Sequence, residues 1–233
     1  MDQDKGLAQE FSFWSLMVFV APSIFAFVFI GLYQMVDGLF IEQFVGEMAI
    51  SAISLYYPVI SLFIAVGIMI GTGGNAEIVR KVGEGKRREA GQIFSRVVSF
   101  TALLGLVFTA VCLLFADPIM RLCGATEGNI EYLRPYYVIM SAFSIMILLQ
   151  SELGIFIIGE GRTVTAAFVI MGGGVLNCVL DYLFMAKLHM GIRGAAIATV
   201  IGYSSTIAYA VWFYVIRQRA VTAWSRPCRT GGR

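Results

Sequence analysis

The stretch TVTAAFVIMGGGVLNCVLDYLFMA, residues 163–186, decides the fold class of this chain. It is almost entirely apolar and longer than the roughly 20 residues that a helix needs to cross about 30 Å of hydrocarbon. Asp181 lies late in it. An ionised carboxylate in the apolar part of a bilayer costs roughly 2.5 to 3.5 kcal/mol on insertion scales, so it usually serves a cation, a proton or a substrate. The stretch therefore predicts a membrane helix with a functional carboxylate.

Apolar stretches of similar length fill most of the remaining sequence. The strands of a membrane barrel would be shorter and would alternate polar with apolar residues, which these stretches do not. We therefore predict an all-α, polytopic membrane protein whose residues 1–216 form one lobe of six transmembrane helices. The predicted helices cover residues 12–36, 48–74, 90–115, 131–157, 163–186 and 194–216.

Composition favours the same class and excludes others. Of the 233 residues, 58% are hydrophobic and 14% are charged, and the mean hydropathy is +0.80, whereas soluble domains carry about 25% charge. A net charge of +2 gives no indication of a nucleic-acid partner. The four cysteines are scattered singly, which predicts neither a metal site nor a redox pair. No Ser/His/Asp or Cys/His arrangement indicates catalysis, so we expect a protein that is not an enzyme and has no cofactor.

The distribution of Lys and Arg predicts the orientation. With six spans, thirteen of the 17 basic residues fall on the side that holds both termini. Four lie on the other side. The positive-inside rule then places both termini in the cytoplasm and the protein in the cell membrane. Residues 217–233 become a basic cytoplasmic tail, and the Arg, Gly and Pro content of AVTAWSRPCRTGGR is that of a truncated or out-of-frame end.

Two carboxylates share one predicted depth in this topology. Asp37 ends the first apolar stretch and Asp181 lies near the outward end of the fifth. Asn177 precedes Asp181 by four residues and therefore lies on the same helix face, where its amide can coordinate a cation. Gln34 stands three residues before Asp37 in the same relation. Asp37, Asn177 and Asp181 form the predicted cation site, with an outer-loop position as the alternative for Asp37.

Other residues indicate a hinge, close helix packing or the lining of a binding cavity. Pro22 removes a backbone hydrogen bond in mid-helix and can act as a hinge. The glycines of residues 172–174 permit close helix contact or local unwinding. Gln34, Tyr33, Tyr136 and Tyr137 could line a cavity, where the tyrosines would bind aromatic cations, although such tyrosines more often serve as packing or interface anchors.

Glu152 is a further carboxylate, one to two turns from the cytoplasmic end of the fourth predicted helix. A structural role is favoured for it, because near that end it could reach the headgroups or pair with Arg162.

Six segments in order carry a resemblance to a known family over about residues 13–217. The chain resembles the N-terminal half of a multidrug and toxic compound extrusion (MATE) transporter, of the superfamily that includes polysaccharide and lipid flippases. The segments are AP at 21–22, MVDGLFIEQFVGEMAISAISL at 35–55, GTGGNAEIVRKVGEGKRREAG at 71–91, GEGRT at 159–163, NCVLDYLF at 177–184 and GIRGAAIATVIGY at 191–203.

The resemblance implies a function and a partner. It implies a secondary antiporter, or its N-terminal half, that exports drugs or organic cations in exchange for protons or sodium ions. Asp37, Asn177 and Asp181 match the family's cation-binding region, and Pro22 matches its kinkable proline. Family members have twelve helices in two lobes, so the resemblance also implies a second six-helix lobe, either covalently joined or supplied by a second copy.

Two other functions stay open. One is an inactive membrane fragment, or an assembly partner without transport of its own. The other is a flippase for lipid-linked saccharides, which calls for a basic cavity, and the predicted spans hold no Lys or Arg at mid-membrane depth.

Overall fold

The computed structural model describes residues 13–224, with some side chains near both ends of this range left out of the description. All regular elements within this range are helical, which confirms the predicted fold class. The helices are α1 Phe13–Phe44, α2 Glu47–Ser54, α3 Tyr57–Gly83, α4 Arg87–Leu114, α5 Ala116–Leu122, α6 Ile130–Ala142, α7 Ser144–Gly159, α8 Thr163–Asp181, a π-helical segment Tyr182–Lys187 and α9 Ile192–Trp224.

The long helices have the length and apolarity of membrane spans. In the part of the chain that the structure describes, α3, α4, α9 and α8 with its π-helical extension each meet this test, and α6 with α7 forms a fifth such element. α1 is 32 residues long, which exceeds the roughly 20 residues that a membrane-spanning helix needs. A helix satisfies its own backbone hydrogen bonds, which is what a hydrocarbon environment requires.

Two predicted helices are broken in the structure. The predicted span 48–74 divides into α2 and α3 because Pro58 lies in the first turn of α3, where its missing N–H and its effect on the preceding residue favour a helix start. The predicted span 131–157 divides into α6 and α7, which meet at an angle of 56°. Phe143 leaves the helical conformation there, with φ −106° and ψ 23°.

Other helix boundaries differ from the prediction by several residues. α1 continues to Phe44 instead of ending at 36, so Asp37 lies about two turns inside a helix rather than at its end. The predicted tail begins within α9, which runs to Trp224, and residues 225–233 lie outside the described residues. The short α5 was absent from the sequence prediction because its seven residues are too few to span a membrane.

Successive long helices run in opposite directions, so the connections between them lie at two ends of the helix bundle. The basic end holds the connections at 84–86 and 160–162, and the opposite end holds those at 45–46 and 188–191. At the basic end Lys81 pairs with Glu89 at 2.7 Å and Lys86 pairs with Glu84 at 2.9 Å. The hydrogen bond from Lys86 lowers the pKa of Glu84. These exposed pairs order the α3–α4 turn but contribute little stability individually.

Glycines bring α7 unusually close to its neighbours. A Cβ atom placed on Gly67 of α3 would lie 2.8 Å from the backbone oxygen of Leu148, and one on Gly105 of α4 would lie 2.8 Å from Cα of Ile145. Small residues allow backbones to approach in this way, and van der Waals packing then replaces the hydrophobic driving force that lipid does not supply. α7 is therefore the central helix of the α3–α4–α7 packing.

Candidate functional site

The two predicted carboxylates come together between α1 and α8. Asp181 is fully buried and Asp37 is half-buried. Their carboxyl groups are close enough to interact directly. Oδ1 of Asp37 and both carboxyl oxygens of Asp181 are buried, yet none has a hydrogen-bond partner among the described residues. Buried polar atoms are nearly always hydrogen-bonded, so these three oxygens mark the candidate site of the lobe.

Asn177 lies one turn before Asp181 on α8 and is also buried. Its side-chain Nδ2 has no hydrogen-bond partner in the described part of the chain. The backbone of α9 closes this side of the site, because a Cβ atom on Gly202 would lie 3.2 Å from Cβ of Asn177. The site therefore has an amide one helical turn from the Asp181 carboxyl group, and carboxyl and amide oxygens are ligands that suit a hard cation.

The glycine run of α8 serves close packing rather than unwinding in this structure. α8 is continuous through it. A Cβ atom on Gly173 would lie 2.6 Å from Oγ1 of Thr206, and one on Gly174 would lie 2.8 Å from Cδ1 of Tyr33. These contacts hold α9 and α1 against α8 about two helical turns before Asp181.

Four tyrosines lie within electrostatic range of Asp37. Tyr33 and Tyr136 are near enough to interact electrostatically with its carboxylate, and so are Tyr57 and Tyr203. The sequence had singled out Tyr33 and Tyr136. It gave no signal for Tyr57 or Tyr203, because their proximity depends on how α3 and α9 pack against α1.

Two of the predicted cavity residues lie in the core of the bundle. Tyr136 and Tyr137 pack edge-on against Tyr56, with ring centroids 5.7 and 5.5 Å from it. The hydroxyl of Tyr137 donates a hydrogen bond of 3.0 Å to the backbone oxygen of Cys112. Tyr137 therefore packs in the core, which was the alternative interpretation of this residue. Gln34, by contrast, is exposed.

Pro22 lies within α1, whose helix continues through it. Its side chain is outside the described residues, so the hinge stays a prediction.

A feature that the sequence did not indicate follows the site directly. α8 changes at Tyr182 into a π-helical segment of six residues. The N–H of Tyr182 is shared between the oxygens of Cys178 and Val179. Such π-helical turns occur often at functional sites, and this one sets the direction in which the chain leaves Asp181.

A groove of about 390 Å³ lies between α8 and α9, toward the basic end from the carboxylates. Its lining is mixed: hydroxyl groups, glycines and aromatic rings. It consists of Thr165, Phe168, Val169, Gly172, Gly173, Ser205, Thr206 and Tyr209.

These features define an integral membrane lobe with a buried, unsatisfied carboxylate pair between two helices. The family model MatE matches residues 22–183. The chain therefore belongs to the MatE family, as its motifs indicated.

Named relatives and a solved structure agree with this assignment. The chain is 28% identical over 214 residues to the probable multidrug resistance protein YoeA of Bacillus subtilis, covering 89% of this chain and 46% of that protein. It is 24% identical over 204 residues to a FAD transporter of Shewanella oneidensis, covering 85% of this chain and 44% of that protein.

The structural likeness extends over the same region. An outward-facing multidrug resistance MATE family transporter of the MOP superfamily matches with a TM-score of 0.80 and 24% identity, covering 88% of this chain and 45% of that one. This likeness establishes the fold. The chain spans about half the length of the relatives that it matches.

Proposed function

We propose that this chain is one lobe of a secondary antiporter that exports drugs or organic cations in exchange for protons or sodium ions. The observation that carries the proposal is the Asp37–Asp181 pair, with three buried carboxyl oxygens that lack hydrogen-bond partners in the described residues. Two carboxylates in apolar surroundings repel one another and are costly to desolvate. Uptake of a proton or a sodium ion offsets both the repulsion between the carboxylates and the cost of desolvating them.

The coupling mechanism follows from competition between states. A ligand shifts a conformational equilibrium only by its differential affinity for the two states. A cation held by Asp37, Asn177 and Asp181 draws α1 and α8 together. Rearrangement of α1 about Pro22 would then change the surface of the lobe that binds the exported compound. The carboxyl and amide groups of this site can bind a proton or a sodium ion, so the proposal includes coupling to either ion.

The charge of the site favours cationic cargo. Among the described residues, no buried side chain is Lys or Arg, whereas Asn177 and Asp181 of this site are buried. A lipid-linked saccharide or a dinucleotide such as FAD carries phosphate groups that would need basic partners. The carboxylates and the surrounding tyrosines instead suit organic cations, which bind aromatic faces through cation–π contacts.

The proposed setting is the cell membrane, with both termini cytoplasmic and a second six-helix lobe beside this one. The second lobe is either joined covalently or provided by a second copy of the chain. Exposed large apolar side chains on α1 and α8 are consistent with a lipid or lobe contact. They include Phe25, Met35, Leu39, Phe168 and Val179.

The test compares Asp181→Asn with Asp117→Asn in this chain joined to a second lobe from a relative, once that fusion is shown to transport. Asn keeps the size of Asp181 but cannot hold the charge that a cation neutralises. Asp117 is exposed and pairs with Arg134, so its substitution controls for loss of a carboxylate.

We expect Asp181→Asn to abolish cation-coupled efflux in membrane vesicles at near-normal expression, and Asp117→Asn to retain it. Efflux with normal coupling in the Asp181→Asn fusion would contradict the proposed role.

A further inference from the structure

Glu152 of α7 is buried in a second polar site, apart from the Asp37–Asp181 pair. Its exposed fraction is 0%, and neither carboxyl oxygen has a hydrogen-bond partner in the described residues. The interpretation that it reaches the headgroups or pairs with Arg162 is therefore wrong: a side chain without exposure reaches no headgroup, and an ion pair would give it a partner.

The burial of Glu152 results from the close approach of α3. A Cβ atom on Gly71 would lie 3.1 Å from Cα of Glu152, and one on Gly67 would lie 3.1 Å from Cβ of Ser151. A side chain at either glycine would crowd the backbone or the Cβ atoms of α7. The helix contact thus isolates Glu152 from water and lipid.

Thr101 of α4 is the polar group beside the carboxyl of Glu152. It is also 0% exposed. Its hydroxyl is close enough to interact with the carboxyl group, although neither side chain completes a hydrogen bond. In the described residues, no side chain forms a hydrogen bond with either carboxyl oxygen of Glu152. The site therefore offers three oxygen atoms and no compensating positive charge.

We propose that Glu152 and Thr101 form a second cation-binding site of this lobe, and that the cation is a proton. An unpaired carboxylate in such surroundings is costly, and a proton removes the charge without further ligands. Three oxygens are few for a metal ion, since Ca²⁺ for example takes about six to eight. The proton resides on a carboxyl oxygen of Glu152, and the hydroxyl of Thr101 is the adjacent hydrogen-bonding group.

The second site lies nearer the basic end than the first. Glu152 precedes the last residue of α7 by seven residues, which is about 10 Å along a helix. Asp181 is the last residue of α8, about 27 Å from that helix's start at the same end. The two sites are thus separated along the bundle by on the order of 15 Å. A proton at Glu152 would be held independently of the Asp37–Asp181 pair, whether or not the lobe transports.

The experiment is infrared spectroscopy of the purified chain in lipid nanodiscs at neutral pH, with glutamate labelled by ¹³C at the side-chain carboxyl. The label shifts glutamate bands and leaves those of Asp37 and Asp181 in place. We expect a protonated-carboxyl band that shifts with the label and is lost in Glu152→Gln. It should be retained in the control Glu131→Gln, because Glu131 is exposed on α6. We expect Thr101→Val to displace the band, because the neighbouring hydroxyl is removed.

Any of three outcomes would overturn the proposal. The first is a labelled chain with no protonated glutamate band. The second is a carboxylate band from Glu152 that changes with sodium, which would indicate a metal ion instead. The third is a protonated glutamate band that persists in Glu152→Gln. If that variant does not fold, the labelled unsubstituted chain together with Thr101→Val decides the question: an absent band, or a band that Thr101→Val leaves in place, would contradict the site.

Discussion

The ring of Tyr33 on α1 lies directly against Gly174 of α8, so that a Cβ atom on this glycine would be 2.8 Å from Cδ1 of the tyrosine. Tyr33 also lies near Asp37, one turn further along α1. The absence of a side chain at 174 therefore sets how closely α1 approaches α8 and how the two carboxylates meet.

Replacing Gly174 by alanine should separate these helices. The added methyl group must displace a rigid ring, and overpacking of this kind costs about 1 to 3 kcal/mol. Gly172 is the matched control, because a Cβ atom there would have no neighbour within 4 Å. We expect Gly174→Ala to lower the thermal unfolding temperature in detergent and Gly172→Ala to leave it unchanged or raise it. Equal behaviour of the two variants would show that the Tyr33 contact does not fix the helix spacing.

The contact between α3 and α7 offers a second test of close packing. Gly67→Ala would place a methyl group 2.8 Å from the backbone oxygen of Leu148, which cannot move like a side chain. Gly73→Ala on the same helix meets no atom within 4 Å. We expect Gly67→Ala to reduce the free energy of unfolding by about 1 to 3 kcal/mol, with little effect of Gly73→Ala. Unfolding in a graded denaturing detergent measures both, and a destabilised Gly73→Ala would contradict the assigned packing.

The apolar stretches were sufficient to predict the fold class and the shared depth of Asp37 and Asp181. Both depend on local composition and on counting spans, because helices of alternating direction place residues at similar depth. The relation of Asn177 to Asp181 also depends only on helical periodicity. These features are encoded in short segments, so a single sequence reveals them.

The features that the sequence did not reveal depend on contacts between distant segments. The break at Phe143 is followed by Ser144, whose hydroxyl donates a hydrogen bond of 3.1 Å to the backbone oxygen of Gly105. The complete burial of Glu152 requires that Gly71 admit α7 against α3. The position of Tyr203 near Asp37 requires the packing of α9. No local pattern specifies these contacts.

The orientation in the membrane is testable by labelling. We expect both termini to be cytoplasmic, because thirteen of 17 Lys and Arg residues lie on that side of the predicted topology. A single cysteine placed at position 3 or 230, after removal of the native cysteines, should be protected from impermeant thiol reagents in whole cells. Opening the cells should expose it, and this serves as the control. Labelling of either position from outside would reverse the topology and the outward position of Asp37 and Asp181.

The lobe alone should insert in the membrane but confer no drug resistance. Its helices satisfy their own backbone hydrogen bonds, so insertion needs no partner. An alternating-access pathway usually lies between two repeats that move against each other, and one lobe supplies a single wall. In a drug-sensitive bacterial strain, we expect residues 1–233 to appear in the membrane fraction without raising the inhibitory concentration of a cationic drug. A fusion to a second lobe from a relative should raise it. Resistance from the short chain alone, lost on Asp37→Asn, would contradict this prediction and would indicate that two copies of the chain assemble into a transporter.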